Sequence, residues 1–346
     1  MRKVLVFTIS IITLFLSSCS NDLEINAPWK DVTVVFGLLN KNETTHYIRI
    51  SKAFLGEGDA LQFASQFDSL YYNPDLLDVK VYRVYDGVVE DSFLCAAVTD
   101  IDKDPGIFSA PSQILYAFNA TLTSISSATN DRLQNSIYRL VVKNKQTGNV
   151  ASAETELVQT LFKPKLNLLA DSLISIYPQN TTTVKWKSAE NGKMYELFLR
   201  FLYREYSDEV NQSDIVSKSV EINLGRFTND NTVGGIERTI NIENTSIYQA
   251  LYAAIPKSTI ENPKYRIADS LQIEFNVAAD DMTTYLNVNQ PSNTVAQERP
   301  QYTNVENGLG LFSSRNSIMR KMRLNDFTVD TLRRNSLTED MNWQPR

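Results

Sequence analysis

Histidines, cysteines and clustered carboxylates carry most protein chemistry, and this chain holds one histidine, two cysteines and 40 carboxylates. His46 lies in Thr45-His46-Tyr47-Ile48-Arg49-Ile50, where strand alternation puts it on the face of Ile48 and Ile50. That is the setting of a core or edge histidine. A Ser-His-Asp relay would need His46 itself, and zinc sites of the usual His- and Cys-rich kinds need more ligands than the chain has. Cys95, in Phe93-Leu94-Cys95-Ala96-Ala97-Val98, has no second thiol to pair with once Cys19 is taken by the lipid described below. It reads as a small apolar side chain of a strand. The carboxylates select no glycosidase pair, and no nucleophile–base pair is legible.

Three further constellations invite chemistry. Asp100, Asp102 and Asp104, in Asp100-Ile101-Asp102-Lys103-Asp104-Pro105-Gly106, are the best-spaced metal ligands. Alternate loop aspartates can turn carboxylates toward one hard cation such as Ca²⁺, although Pro105 stands where an EF-hand needs glycine and no Glu closes the loop. Asn307-Gly308-Leu309-Gly310 suggests a phosphate loop, but Ser313 replaces the third glycine of a dinucleotide fingerprint. A mechanical role fits better, with Asn307-Gly308 turning, Gly310 admitting another backbone, and Leu309, Leu311 and Phe312 docking the segment. Arg315, Arg320, Lys321 and Arg323 form a basic stretch that could meet lipopolysaccharide phosphates or an acidic partner, although a solvated face paired with local acids is the commoner arrangement.

The N-terminus carries an address. Met1-Arg2-Lys3 is a positive start, followed by about thirteen mostly apolar residues from Val4 to Leu16. A permanent span of a ~30 Å hydrocarbon core needs about twenty. The run ends in Leu16-Ser17-Ser18-Cys19, a lipobox, so residues 1–18 read as a lipoprotein signal peptide and Cys19 as the acylated first residue. Each buried methylene of an acyl chain contributes about 0.8 kcal/mol, and two or more chains anchor stably. Removing residues 1–18 takes Arg2 and Lys3 with it and moves the net charge from −6 to −8. Such an acidic chain is a poor ligand for nucleic acid or anionic headgroups.

The elements that would position these residues are mostly strands. About 330 mature residues suggest two domains. A tether, residues 19–28, leads to residues 29–163. There Val32–Leu39, Thr45–Ile50, Val79–Tyr85, Val88–Val98, Ile137–Lys143 and Val150–Val158 read as short strands with turn residues between them. Asp86-Gly87 supplies the positive φ angles of a tight hairpin. The pattern predicts an immunoglobulin-like sandwich. An insert at Asp59–Tyr72 has helical spacing and carries Phe67, Tyr71 and Tyr72. Residues 164–335 read as a second β-rich domain with one or two short helices. Asn191-Gly192 suggests a hairpin between Thr182–Lys187 and Met194–Tyr203, and Ile247–Ala254 suggests a helix capped by Asn244, Thr245 or Ser246. Residues 336–346 read as a polar, loosely held tail.

Asn26-Ala27-Pro28-Trp29-Lys30-Asp31 leading into Val34-Val35-Phe36-Gly37-Leu38-Leu39, the stretch Tyr47 to Gly58, and Pro300 to Phe312 together resemble the uncharacterised surface lipoproteins of Bacteroidota often encoded near TonB-dependent outer-membrane transporters. The resemblance covers most of the mature chain and implies a location and a neighbourhood rather than a reaction. Asp22 and Glu24 resemble that phylum's surface-export signal. Ser69, Ser172, Ser270 and Thr331, each in an Asp-Ser-Leu or Asp-Thr-Leu triplet, resemble its O-glycan acceptors. The expectation is a non-enzymatic, lipid-anchored, cell-surface outer-membrane protein without a cofactor, serving as accessory subunit of an integral barrel. Asn307, Gly308, Gly310 and Phe312 would serve that contact. The alternative is a glycan- or peptide-binding lipoprotein presenting Phe67, Tyr71 and Tyr72; a hydrolase stands last.

Overall fold

The computed structural model describes residues 32–53, 65–104, 112–160, 165–166, 173–210, 212–290 and 301–345. The chain is mainly β. The first eight strands are β1 (Val32–Asn40), β2 (Thr45–Ala53), β3 (Leu77–Tyr85), β4 (Val88–Leu94), β5 (Ala96–Val98), β6 (Leu115–Asn119), β7 (Ile137–Asn144) and β8 (Val150–Glu156). They pair as β1-β2-β6-β5 and β4-β3-β7-β8. With the strands lettered along the chain, these are A-B-E-D and C′-C-F-G, the immunoglobulin-like order. Their inner faces share one core, with Val35, Ile48, Ile50 and Phe118 on one sheet and Val79, Val81, Leu140 and Ala153 on the other. At the start of β7 the buried Tyr138 donates its hydroxyl proton to the Leu133 carbonyl, 3.2 Å away, which is the tyrosine-corner contact of such sandwiches. Asp86 and Gly87 take φ of 50° and 75°, so the β3–β4 hairpin has the turn its residues predict.

The remaining strands are β9 (Lys165–Leu166), β10 (Leu173–Ile174), β11 (Thr181–Lys187), β12 (Met194–Tyr206), β13 (Val216–Thr228), β14 (Glu237–Glu243), β15 (Tyr265–Ala278) and β16 (Gly308–Leu324). Among the described residues five short helices join the strands: α1 (Phe67–Leu70), α2 (Ser127–Gln134), α3 (Asn244–Ala254), α4 (Asp280–Val288) and α5 (Asp326–Arg334). The second core lies under β12, β15 and β16, where Tyr195, Leu197, Leu199, Phe201, Ile273 and Phe275 point inward. It is closed by Trp186 and Ile242 of the β14-β11-β9 sheet, by Tyr248 and Leu251 of α3, and by Leu332 of α5.

Several expectations need correction. β11 and β12 belong to different sheets, so Asn191-Gly192 makes a crossing between layers, not a hairpin. Asn244 sits inside α3 behind the cap residue Glu243; its amide bonds the Tyr177 carbonyl at 2.9 Å and Thr182 at 2.6 Å, fixing the helix to the neighbouring loop. The tail is not loosely held. Trp343 is 3% exposed in the second core and stacks edge-on against Phe201, with centroids 5.7 Å apart. Two large apolar side chains, Met341 and Trp343, outweigh the polar residues around them.

Residues beyond the expected boundary at 163/164 also complete the first sandwich. β16 runs parallel to β1, with Val35 opposite Gly310 and Gly37 opposite Phe312, so one nine-stranded sheet passes through both cores. Gly310 has φ of 106°, and a Cβ there would stand 1.9 Å from the Val35 carbonyl oxygen. Only glycine permits that approach.

Candidate functional site

β1 is apolar at nearly every position. Val35 and Leu39 enter the core, which leaves Val34, Phe36 and Leu38 on the other face. Strands buried on both faces read this way, whereas the outer face of an antiparallel sheet is normally polar. Part of that outer face is covered by α4, whose Tyr285 ring meets Phe36 edge-on at 5.8 Å. On either side of Phe36 lies a cleft.

The first cleft, about 350 Å³, is lined by Val34, Phe36, Ala53, Leu70 and Tyr71, with Arg49, Ser51, Lys52 and Lys103. The second, about 430 Å³, lies between Phe36, Leu38 and Tyr47 of the sheet and Met282, Tyr285 and Leu286 of α4. Tyr47 is 43% exposed, and the ion pair of Glu43 with Arg315, 3.3 Å, stands on the rim. Aromatic, Met and Arg side chains are the types enriched where proteins meet. The first cleft adds a concentration of positive charge. Arg49 lies 4.9 Å from the Phe36 ring centre and Lys52 5.3 Å from that of Tyr72. Burial pushes the Tyr71 phenol up, and the Arg49 charge pulls it partly back.

The residues singled out from sequence fare differently. Tyr71 and Tyr72 do not stand out as binding aromatics: both are buried in the first core, Tyr72 hydrogen-bonded to Thr33 at 3.3 Å. Phe67 is half-buried against Tyr71, and of the three Tyr71 lines the first cleft. Phe312 is fully buried and so offers no partner contact from the free surface. Asn307 supplies a positive-φ turn, and Gly308 and Gly310 serve the β1–β16 approach. The segment behaves as a clasp. Asn304 accepts from the Phe312 amide at 3.0 Å and donates to the Phe312 carbonyl at 2.8 Å and to Asp281 at 3.0 Å. Tyr302 donates to the other Asp281 oxygen.

Asp100, Asp102 and Asp104 are exposed, and among the described residues no three metal-ligating side chains gather at one point. Ser270 is 2% exposed within β15, with no room for a glycan in the folded chain. Ser69 and Thr331 are half-exposed on α1 and α5. Cys19 and Ser172 lie outside the described residues. His46 donates through Nε2 to the Ala120 carbonyl, 3.1 Å away; burial lowers its pKa, and its Nδ1 is sealed from solvent. Burial raises the Cys95 thiol to about 12, as an inert apolar cysteine requires.

Sequence reasoning gives Phe36, Arg49 and Tyr285 no role of their own; Phe36 and Arg49 enter it only within the stretches that carry the resemblance. The usable signal was the run Val32-Thr33-Val34-Val35-Phe36-Gly37-Leu38-Leu39, apolar in both alternating sets of a strand that needs only one. No protein-family model and no curated protein matches the chain. Its chemistry is accordingly read from this geometry.

Proposed function

We propose that this protein is a non-enzymatic lipoprotein of the outer-membrane surface, held by acyl chains on Cys19, that docks an integral β-barrel as its accessory subunit. A TonB-dependent transporter or another outer-membrane machine is the partner that the family resemblance suggests. One observation carries the docking surface: the broad, half-exposed band of Val34, Phe36, Leu38, Tyr47, Tyr285 and Leu286. Bands of this breadth mark protein contacts more than they mark solvent. Acylation confines the chain beside barrels and raises its effective concentration there, so a modest interface suffices. The test is to carry Tyr47→Asp together with Leu286→Asp in the native strain and recover the protein in mild detergent. Both side chains reach the surface, so the fold should persist while the barrel recovered with the protein falls by about tenfold or more. Undiminished recovery would place the contact elsewhere.

A second reading rests on the first cleft. Arg49, Lys52 and Lys103 line it beside Phe36 and Tyr71, with no carboxylate among the described lining residues. That suits an anionic group on an apolar body, such as an acidic peptide side chain captured as nutrient. This proposal assigns no cofactor. Calcium held by Asp100, Asp102 and Asp104 would show as a Tm raised by millimolar Ca²⁺ over EDTA, and lost when all three become Asn.

A further inference from the structure

The nine-stranded sheet ends at β13, a strand of 13 residues that among the described residues pairs with β12 alone. A free edge of that length presents a row of backbone donors and acceptors, and folded proteins normally blunt such edges with proline, bulges or charged side chains. β13 contains no proline. The bulge at Leu224, opposite Leu197/Phe198, lies outside Val216 to Asn223, which pairs with β12 in unbroken register. The two charges in that stretch are tied back to strand β12: Lys218 bonds Glu205 at 2.6 Å and Glu221 bonds Arg200 at 2.7 Å. No described backbone group outside β12 bonds this stretch. At its start Val216 is 50% exposed.

We propose that this edge pairs antiparallel with the same edge of a second copy of the chain, the two-fold axis passing at Val220. The occupant follows from the side chains. A two-fold interface must be complementary to itself. Antiparallel pairing about Val220 sets Val220 against its own counterpart, Ser219 against Glu221, Ser217 against Asn223, and the aliphatic stem of Lys218 against Ile222. No like charges stand directly opposite each other, and three apolar contacts form on the core side, Val220 with its counterpart and Ile222 with the Lys218 stem twice, where Val220 and Ile222 already pack. An integral barrel is a closed sheet without a free edge, so it cannot add a strand here. The inference is independent of the docking face, because β1 lies four strands inward.

Ser219 is exposed, so charge can be placed there without disturbing either core. The full-length protein in mild detergent should sediment as a concentration-dependent dimer. Ser219→Glu sets two carboxylate pairs against Glu221 of the second copy and should weaken the dimer about fivefold, while Ser219→Lys should strengthen it by a similar factor. A monomer at all concentrations overturns the proposal, as does a dimer indifferent to both substitutions. A photo-crosslinker at Asn223 in native membranes should capture this same chain; capture of a different protein instead overturns the proposal too.

Discussion

Two residues test the local account most sharply. Gly310 holds a left-handed φ beneath the Val35 carbonyl, so both strain and a backbone clash oppose any side chain. Gly310→Ala should cost more than about 3 kcal/mol in urea unfolding, placing it in the tail of point-mutant effects. A midpoint unchanged from the parent would mean that the β1–β16 approach is not as described. The mechanical reading of Asn307 to Gly310 was available from sequence, because the missing third glycine excluded a phosphate loop. What the glycines approach was not, since Val35 and Gly310 are far apart in sequence and no local pattern links them. Cys19→Ala tests the address, because no helix among the described residues is long and apolar enough to cross a membrane. The mutant should leave the membrane fraction on carbonate washing; persistence in the pellet would point to another anchor.

At the scale of elements, alternation made the hairpins of the first sandwich legible and Asp86-Gly87 fixed one of them, but the expected strand Val88–Val98 breaks at Cys95 into β4 and β5, which belong to opposite sheets. The same reasoning misplaced Asn191-Gly192, because a turn signal records a reversal of the chain and not which strands it joins. The C-terminal segment was misjudged for a related reason: composition counts its polar residues, but two buried ones decide its place. It is held by a buried charge network. Arg266, 1% exposed, donates to Glu205 at 2.8 Å and to the Met341 carbonyl at 2.7 Å, and Lys218 completes the set. Burial would raise the Glu205 pKa, but the Lys218 hydrogen bond and the Arg266 charge together hold it below the usual carboxylate value. With the folded pKa below the unfolded one, the stabilisation is present above the unfolded value of about 4.3 and is lost as pH falls through the folded value. Unfolding free energy should therefore decline on acidification, and less steeply in Glu205→Gln than in the parent. Arg266→Met should destabilise the fold by about 3 kcal/mol at neutral pH, because Glu205 then keeps Lys218 alone and the Met341 carbonyl loses its buried donor. Equal acid slopes would remove Glu205 from the explanation.

The whole molecule joins two cores through one sheet, with β16 central to both. Sequence periodicity foresaw a mainly β chain, and the immunoglobulin-like strand order agrees with that expectation. The shared sheet escaped it, because a parallel pairing between the first and last strands leaves no local trace. The candidate docking face was overlooked in a similar way. Val32 to Leu39 reads from sequence as a strongly apolar strand, and only the three-dimensional arrangement shows that its second apolar face is half-covered by α4. The central proposal is that this face serves an integral outer-membrane barrel. Its most direct test is recovery of the untagged native complex from membranes in several mild detergents, with chemical crosslinking and mass spectrometry of whatever is captured. The account predicts a barrel crosslinked near Tyr47 or Tyr285. Recovery of the chain alone, or joined only to copies of itself, across all the detergents would contradict it.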